Sequence, residues 1–259
     1  MATQTSELDT ALDDGILTLT LNRPSSLNSL TPQLLDELTY AAHAAASDGE
    51  VRCVVLTGAG RGFSAGAALT GDPREYDVRG ALREHYNPAV RALHELDKPV
   101  IASIRGIAVG AGAGLALACD LRIASDDARL AFLFRRIGLA LDAGVSYHLP
   151  RIVGAGRAAE LALLGDDLSA QDALAIGLVN RVVPSDALDR ATHELAERLA
   201  TGPFSLRMIK RQLRPALTNP LDQQLDLEVQ TQGLAAESED CAEGVASFLE
   251  RRPVHFAGR

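Results

Sequence analysis

Alternation of apolar and polar residues predicts a strand near the start of the chain. The side chains of residues 16–21 alternate with a period of two, and the run stops at the turn sequence Asn22-Arg23-Pro24. A helix is predicted next, because Thr31 can cap it with Pro32 at its first position. Leucine and alanine then recur at helical spacing, and a second strand is predicted over 51–57.

Apolar runs broken by glycine predict the rest of the core. They indicate strands at 99–104, 120–124, 130–132 and 179–183, and a helix at 112–119. Strands that alternate with helices are typical of an α/β fold. The spacing of these strands is too irregular for an eight-stranded βα barrel.

From residue 185 onward the pattern is almost wholly helical. Helices are predicted over 186–200, 203–213, 220–236 and 238–250. Because no further strands remain for them to cover, we expect these helices to pack across a subunit interface or over the ligand site. The predicted division is a core over 1–200 and a helical oligomerisation region over 201–259.

Composition narrows the class of protein. The chain has 259 residues, 47% of them hydrophobic, and a formal charge of −9, with no Lys/Arg run longer than a pair. This charge argues against nucleic acid or an anionic membrane as a partner. No segment has the form of a signal peptide or a membrane span, so we expect a cytoplasmic protein. Cys53, Cys119 and Cys241 are widely spaced, which favours buried thiols over a metal site.

Two turns rich in glycine and alanine are the strongest candidates for chemistry. They lie at residues 62–67 (Gly-Phe-Ser-Ala-Gly-Ala) and within 106–119, and each leads into an apolar stretch. Small side chains let a substrate carbonyl approach within about 3 Å of the backbone, where N–H groups can donate to it. The turns are therefore interpreted as two halves of an oxyanion hole.

These turns belong to an ordered set of segments that resembles the crotonase (enoyl-CoA hydratase/isomerase) superfamily over nearly the whole chain. The matching segments are Leu21-Asn22-Arg23-Pro24, Leu27-Asn28-Ser29-Leu30, Gly62 to Ala67, Lys98 to Ala102, Cys119 to Ala124, Leu149 to Gly154, Ala175 to Val179, and Glu243 to Arg252. The resemblance implies a spiral of ββα units that binds an acyl-CoA thioester, with a C-terminal trimerisation region. It also implies a homotrimer or hexamer and no cofactor, because coenzyme A is part of the substrate.

By position, the resemblance makes the N–H groups of Ala67 and Ala111 the two donors to the thioester oxygen. Ser64, Ala65 and Gly110 lie in the same turns and are expected to line the substrate. One such donor stabilises the developing enolate by roughly 3 kcal/mol. The alternative is that both turns serve tight packing alone.

Two positions argue against ordinary hydration. Hydratases of this superfamily use two glutamates, and the corresponding positions here hold Gly114 and Phe134. A carboxylate is found nearby at Asp142, flanked by apolar residues that would raise its pKa and suit it to accept a proton from carbon. One acid/base group suffices to move a double bond. The alternative role for Asp142 is to cap the helix that follows it.

Within the superfamily the chain resembles the phenylacetate-pathway epoxyphenylacetyl-CoA (oxepin-CoA) isomerases. The shared segments are Tyr86 to Leu93 (Tyr-Asn-Pro-Ala-Val-Arg-Ala-Leu) and Gly110-Ala111-Gly112. The chain departs from that subgroup at Ala68, at Leu141 and at Ala143-Gly144-Val145, where an acidic residue, a proline and a glycine pair are usual. These departures leave the acyl group open.

Further side chains are candidates for binding the substrate. Tyr86, Phe132, Phe134, Tyr147 and His148 are able to line an apolar acyl pocket, or to pack in the core. The resemblance places Arg251 at the coenzyme A phosphates of a neighbouring subunit, with Lys210 or Arg23 as possible helpers.

The leading hypothesis is an acyl-CoA isomerase in which Asp142 carries the proton. Three alternatives stay open at this point: a hydratase in which Asp142 orients water, a non-catalytic acyl-CoA-binding protein, and an enzyme in which the carboxylate attacks carbon, as in the aryl-CoA dehalogenases.

Overall fold

The computed structural model describes residues 6–69, 71, 74 and 76–259. The strands are β1 (Leu8–Asp13), β2 (Ile16–Leu21), β3 (Cys53–Gly58), β4 (Val100–Ile104), β5 (Ile107–Val109), β6 (Leu121–Ser125), β7 (Arg129–Ala131), β8 (Leu168–Ser169) and β9 (Arg181–Val183). The helices are α1 (Pro32–Ser47), α2 (Val78–Ala81), α3 (Asn87–Glu95), α4 (Ala111–Ala118), α5 (Val145–Val153), α6 (Ala155–Leu164), α7 (Ala170–Ala175), α8 (Leu188–Ala200), α9 (Ser205–Leu213), α10 (Leu221–Ala236) and α11 (Glu239–Glu250).

The main sheet has the strand order β1-β2-β3-β4-β6-β9. β1 and β2 are antiparallel, and the later neighbours are parallel. Asp14 (φ 45°) and Gly15 (φ 78°) form the turn between β1 and β2, and positive φ at both positions suits the twist of a tight hairpin. The hydrophobic pattern does not predict β1, because Leu8 is its one buried residue.

A second sheet has the order β5-β7-β8. The chain passes from β4 to β5 through Gly106 (φ 54°), where a methyl group would collide with the carbonyl oxygen of Arg61. An isolated parallel bridge joins Ser64 to Ala108 of β5. The turn that follows β3 therefore lies beside the turn that follows β5, and both precede the buried helix α4.

The core occupies both faces of the main sheet. Along β3, Val54 and Leu56 face a large apolar cluster shared with α1, α3 and α4, whereas Cys53 and Val55 face a smaller cluster under α8. This alternation follows from the two-residue period of a strand. Burial on both faces explains why β3 and β4 read as continuous apolar runs.

Most elements predicted from the sequence are present within a residue or two of their expected bounds. Thr31 caps α1 as predicted, since its hydroxyl accepts from the N–H of Leu34 at 3.1 Å. The last strand is shorter than predicted and begins at Arg181, because the N–H of Val179 bonds instead to Ala173 O in the turn after α7. The short strands β5 and β8 are not predicted, since a run of two or three residues carries no periodicity.

The C-terminal helices pack on the end of the core where β4 begins. Lys210 of α9 donates to Asp120 Oδ2 at 2.6 Å and to Lys98 O at 3.0 Å. The Asp240 carboxylate at the start of α11 accepts from the N–H groups of Phe204 and Gly258. None of the helices in the described part of the chain is both long enough and apolar enough to cross a bilayer.

Candidate active site

The turn over residues 63–68 leaves one backbone donor free. Five neighbouring N–H groups have acceptors at 2.8 to 3.2 Å. Those of Phe63 and Ser64 donate to Ile107 O, that of Ala65 to Leu27 O, that of Gly66 to the Ser64 hydroxyl, and that of Ala68 to Leu30 O. Within the described residues, no hydrogen bond uses the N–H of Ala67. The Ala67 N–H is therefore available to a ligand.

Ser64 shapes this turn from the inside. Its side chain is 0% exposed, and its hydroxyl donates to Asn28 O at 2.8 Å. A methyl group built on Gly112 would lie 2.6 Å from Ser64 Cβ, so the serine also sets how closely α4 approaches. The hydroxyl is thus engaged within the protein, and Ala65, which is half-buried, is the neighbour nearer the surface.

Asn28 holds the same turn, a role that periodic residue patterns along the chain do not indicate. It is fully buried, and its amide donates to Ala59 O and Gly62 O at 2.9 and 2.8 Å. Its φ is 54°, a conformation that asparagine adopts more readily than most residues. The one sequence feature that indicates this role is an asparagine between Leu27 and Leu30, since an amide buried among apolar residues must bond to the backbone.

The second turn ends at the first residue of α4. Gly110 (φ 53°, ψ −123°) precedes the helix and offers no side chain to cap it, while its N–H donates to Ala131 O at 2.9 Å. The first N–H groups of a helix have no acceptor within it. No hydrogen bond of the described residues supplies an acceptor for Ala111, although every residue of α4 is buried. An unpaired, partly positive helix end in a buried setting points to an anionic or carbonyl ligand.

Gly66 brings the two turns together. A methyl group built on it would lie 2.7 Å from Val109 O and 3.5 Å from the nitrogen of Ala111, and its φ is 87°. Any side chain at this position would push the two turns apart. Their closeness makes the N–H groups of Ala67 and Ala111 candidates to bind one oxygen atom together.

Asp142 lies on the loop between β7 and α5, in a strained stretch of backbone. Ala143 and Gly144 have φ values of 46° and 75°, and Gly144 is the residue that precedes α5. The Asp142 side chain makes no capping hydrogen bond to α5, so the helix-cap alternative is wrong. Its Oδ1 is buried and has no hydrogen-bond partner among the described residues. Burial raises the pKa of this carboxyl to about 6.

The Asp142 loop packs against α4 at Gly114. A methyl group built on Gly114 would lie 2.5 Å from Ala143 O and 2.9 Å from Ala143 Cβ. The space that a side chain at position 114 would need is therefore filled by the loop. Phe134 lies over the second turn, since its Cζ would be 3.9 Å from a methyl group on Gly110. Neither position can present a carboxylate.

Tyr86 connects the first turn with the Asp142 loop. It ends a π-helical turn over Leu82–Tyr86, and its hydroxyl donates to Leu30 O at 3.3 Å. Leu30 in turn pairs with Ala67 through an isolated bridge. Burial, and secondarily the charge of Asp142, raises the pKa of Tyr86 to about 12, so the phenol is neutral and close to the carboxylate.

Other candidates lie elsewhere. Phe132 is a core residue at 1% exposure, while Tyr147 and His148 line a separate cavity at the opposite end of α4. Lys210 is buried and paired with Asp120, so it is not available to a phosphate group. The expectation that Lys210 helps to bind the coenzyme A phosphates is therefore wrong. Arg23 is paired with Glu7 at 2.9 Å, whereas Arg251 is exposed at the end of α11.

Comparison with known proteins identifies the family of the chain. The sequence profile of the family described as Enoyl-CoA hydratase/isomerase matches residues 11–259. The chain is 43% identical over 256 residues to the 1,2-epoxyphenylacetyl-CoA isomerase of Escherichia coli (strain K12), covering 96% of this chain and 97% of the relative. It is 41% identical over 250 residues to a probable enoyl-CoA hydratase of Rhodobacter capsulatus, covering 96% of each.

A solved structure shows the same fold. The enoyl-CoA hydratase from Bacillus anthracis superposes with a TM-score of 0.92 at 33% identity, covering 98% of this chain and 100% of that one. The chain therefore belongs to the enoyl-CoA hydratase/isomerase family. The predicted superfamily and its α/β fold with C-terminal helices are confirmed, and the activity is that of an acyl-CoA hydratase/isomerase.

Proposed function

We propose that this member of the family is an acyl-CoA isomerase. Asp142 removes a proton from carbon, the N–H groups of Ala67 and Ala111 bind the resulting thioester enolate, and the proton returns at a different carbon. The substrate class is a 3-enoyl or ring-epoxide thioester, and the name of the E. coli relative supports the second of these.

One observation carries the preference for isomerisation. The Asp142 loop occupies the space beside Gly114, so a carboxylate at that position is sterically excluded. Phe134 leaves the other expected position apolar. Hydration needs one group to activate water and a means of protonating carbon, whereas a double-bond shift needs one group that takes a proton and returns it.

The electrostatics of Asp142 suit this role. With a pKa of about 6, the carboxyl is mainly ionised at neutral pH, yet it holds a proton far better than an exposed aspartate. Its Oδ1 is buried and has no hydrogen-bond partner among the described residues, so no protein donor competes for this oxygen. The two N–H groups supply charge stabilisation without themselves titrating, which is worth roughly 3 kcal/mol for each donor.

Hydration by Asp142 alone is the second candidate, and the name of the Rhodobacter capsulatus relative favours it. One absorbance assay distinguishes isomerisation from hydration. Conversion of 3-hexenoyl-CoA to 2-hexenoyl-CoA raises the absorbance of the conjugated thioester, and hydration of crotonyl-CoA lowers it. We expect the first rate to exceed the second by at least about tenfold, a difference of roughly 1.4 kcal/mol in barrier.

The decisive variant is Asp142→Asn, which keeps the shape of the side chain but cannot accept the proton. We expect kcat/KM for 3-hexenoyl-CoA to fall by about 10² to 10⁴, the usual value of a general base, with binding of hexanoyl-CoA nearly unchanged. In the wild type, kcat/KM should fall about tenfold per pH unit below pH 6, because protonation removes the base. Asp222→Asn, at an exposed position of α10, is the matched control. An unchanged rate in Asp142→Asn would eliminate the proposal, and so would absence of turnover by the wild type on both substrates.

Assembly forms part of the proposal. The helical region over 201–259 exposes large apolar side chains, including Leu221, Val229, Phe248 and Leu249. Such surface supports a homotrimer or hexamer in which Arg251 reaches the coenzyme A phosphates of a neighbouring subunit. Light scattering gives the subunit number. Arg251→Gln should raise KM for the thioester severalfold, whereas the affinity for the free acid, which lacks coenzyme A, should be unaffected.

A further inference from the structure

A cavity of about 390 Å³ lies at the C-terminal end of α4, bounded by α5 and α9. The eight residues of α4 separate it from the candidate active site by ~12 Å along the helix axis. Its wall includes part of the Cys119 to Ala124 segment, which the proposed reaction does not use. The cavity is therefore a distinct feature of the fold.

Positive charge exceeds negative charge on the cavity wall. Arg122, Arg151, Lys210 and Arg214 line it, against the single carboxylate of Asp120. Lys210 pairs with Asp120, and Arg214 pairs with Asp97 just outside the cavity. Among the ion pairs of the described residues, none includes Arg122 or Arg151. Arg122 and Arg151 thus have no ion-pair partner among the described residues, and Asp120 is the one carboxylate on the cavity wall near them.

Arg122 is the more unusual of the two, because it is only 5% exposed. Its Nε donates to Leu178 O and its Nη1 to Cys119 O, both at 2.7 Å. No hydrogen bond in the described part of the chain uses its Nη2. Burying a cation is costly, and an anion in the cavity would offset that cost while accepting from the Nη2 group.

His148 adds a second buried polar group to this corner. It is 8% exposed, and its ring is in edge contact with the rings of His94 and Tyr147, with centroids 5.1 Å apart in each case. No described residue forms a hydrogen bond with its ring nitrogens. Arg151 lies 3.6 Å from the centre of the Tyr147 ring. Burial, then His94 and the two guanidinium groups, lower the pKa of His148 to about 4, so the ring is neutral and carries one N–H donor at pH 7.

The opposite wall of the cavity is apolar. Ile209, Leu213 and Leu217 line it from α9 and the turn after it. A simple inorganic anion would leave this wall in contact with water, whereas an organic anion would cover it. We propose that the cavity binds a small organic carboxylate, with its head at Arg122, His148 and Arg151 and its apolar body along α9.

The test is a ligand-observed NMR titration of the full chain in its solution assembly, with hexanoate and phenylacetate as probes. Saturating hexanoyl-CoA occupies the thioester site, so the result does not depend on the proposed function. We expect saturable binding of both carboxylates and at least tenfold weaker binding of hexanamide and phenylacetamide, which lack the charge.

Two variants locate the site. Arg151→Gln removes one guanidinium, and Leu213→Trp fills the cavity from a position that is 67% exposed, so both should fold. We expect each to weaken hexanoate binding at least fivefold, while Arg190→Gln and Leu163→Trp, at exposed positions elsewhere, change it less than twofold. Absence of saturable binding, or binding that both variants leave unchanged, would overturn the proposal. Equal affinity for inorganic phosphate would also overturn it, because the apolar wall would then contribute nothing.

Discussion

The two ends of α4 are equally buried but are treated in opposite ways. At its C-terminal end, Cys119 O accepts from Arg122, and Asp120 is bonded to Lys210. At its N-terminal end, Gly110 provides no cap, and the N–H of Ala111 meets no acceptor among the described residues. Buried polar groups are normally satisfied, so the open N-terminal end is the one where we propose that the thioester oxygen binds. The difference predicts that changes at the N-terminal end alter catalysis and that changes at the C-terminal end alter stability.

The strongest test of this contrast removes the free donor. Ala111→Pro deletes one backbone N–H at the first position of a helix, where proline is well tolerated. We expect kcat/KM to fall by about 10² to 10³, as for loss of one oxyanion donor. Circular dichroism and thermal unfolding should show a folded protein. Ala111→Ser keeps the N–H and serves as the control. A folded proline variant with the wild-type rate would contradict the assignment of Ala111.

Breaking the ion pair at the other end should have the opposite outcome. Lys210→Met keeps the volume of the side chain but leaves Asp120 without its cation. We expect the free energy of unfolding to fall by about 2 to 3 kcal/mol, below the full value for a buried pair because Asp120 is partly exposed. Denaturant unfolding measures the loss, and the rate per folded enzyme should stay within about twofold. Arg190→Met, in an exposed pair, should cost little. A large loss of activity would instead connect this end to catalysis.

The contact between α4 and the Asp142 loop connects the N-terminal end to Asp142, the proposed proton carrier. Gly114→Ala places a methyl group against Ala143, so the loop must move. A displacement of about 1 Å can reduce a rate by as much as 10², and overpacking costs about 1 to 3 kcal/mol of stability. Gly156→Ala in α6 is the matched control, since nothing lies within 4 Å of its added methyl group. Steady-state kinetics with both variants would show whether the position of the loop matters, and equal rates would mean that it does not.

The smallest expected effect concerns the stability cost of Asp142 itself. The pKa of Asp142 in the folded protein lies above the ordinary value of 3.8, so folding favours its protonated form. The preference of the folded protein for the protonated Asp142 carboxyl stabilises it fully below pH 3.8, and this stabilisation is lost as the pH rises through about 6. Asp142→Asn should therefore stabilise the protein by about 1 to 2 kcal/mol at pH 8, allowing for partial solvation, and by less at pH 5. Denaturant unfolding at both pH values checks this, and stabilisation that is equal at both would argue against a raised pKa.

Much of the site could be predicted because it depends on residues close together in sequence. Alanine and glycine at 66, 67, 110 and 111 identify turns that admit a ligand to the backbone. Gly114 and Phe134 exclude the two glutamates of a hydratase without any structure. The distant contacts of Asn28 and Tyr86 could not be predicted, because the carbonyl groups that accept from these side chains are more than thirty residues away.

Lys210 shows the limit most clearly. As a charged residue on an amphipathic helix it suits a phosphate ligand, yet packing of α9 on the core buries it against Asp120, ninety residues earlier. The exposure of a charged side chain depends on which surfaces meet, and helical periodicity does not report that. His148 is a similar case, since the sequence leaves open whether it lines the acyl pocket or packs in the core, and the structure places it at a separate cavity.

The sequence by itself determined most of the longer strands and helices, the small residues of the two turns and the absence of both expected glutamates, since each follows from residue type and local spacing. The tertiary structure alone decided which N–H groups in those turns lack acceptors, how closely Gly66 lets the turns approach, and that Asp142 is buried with an unpartnered oxygen. The physical reason is that hydrogen-bond satisfaction and desolvation are set by distant segments that pack together. Local sequence positions the groups along the chain, and packing determines which of them remain free to bind a substrate.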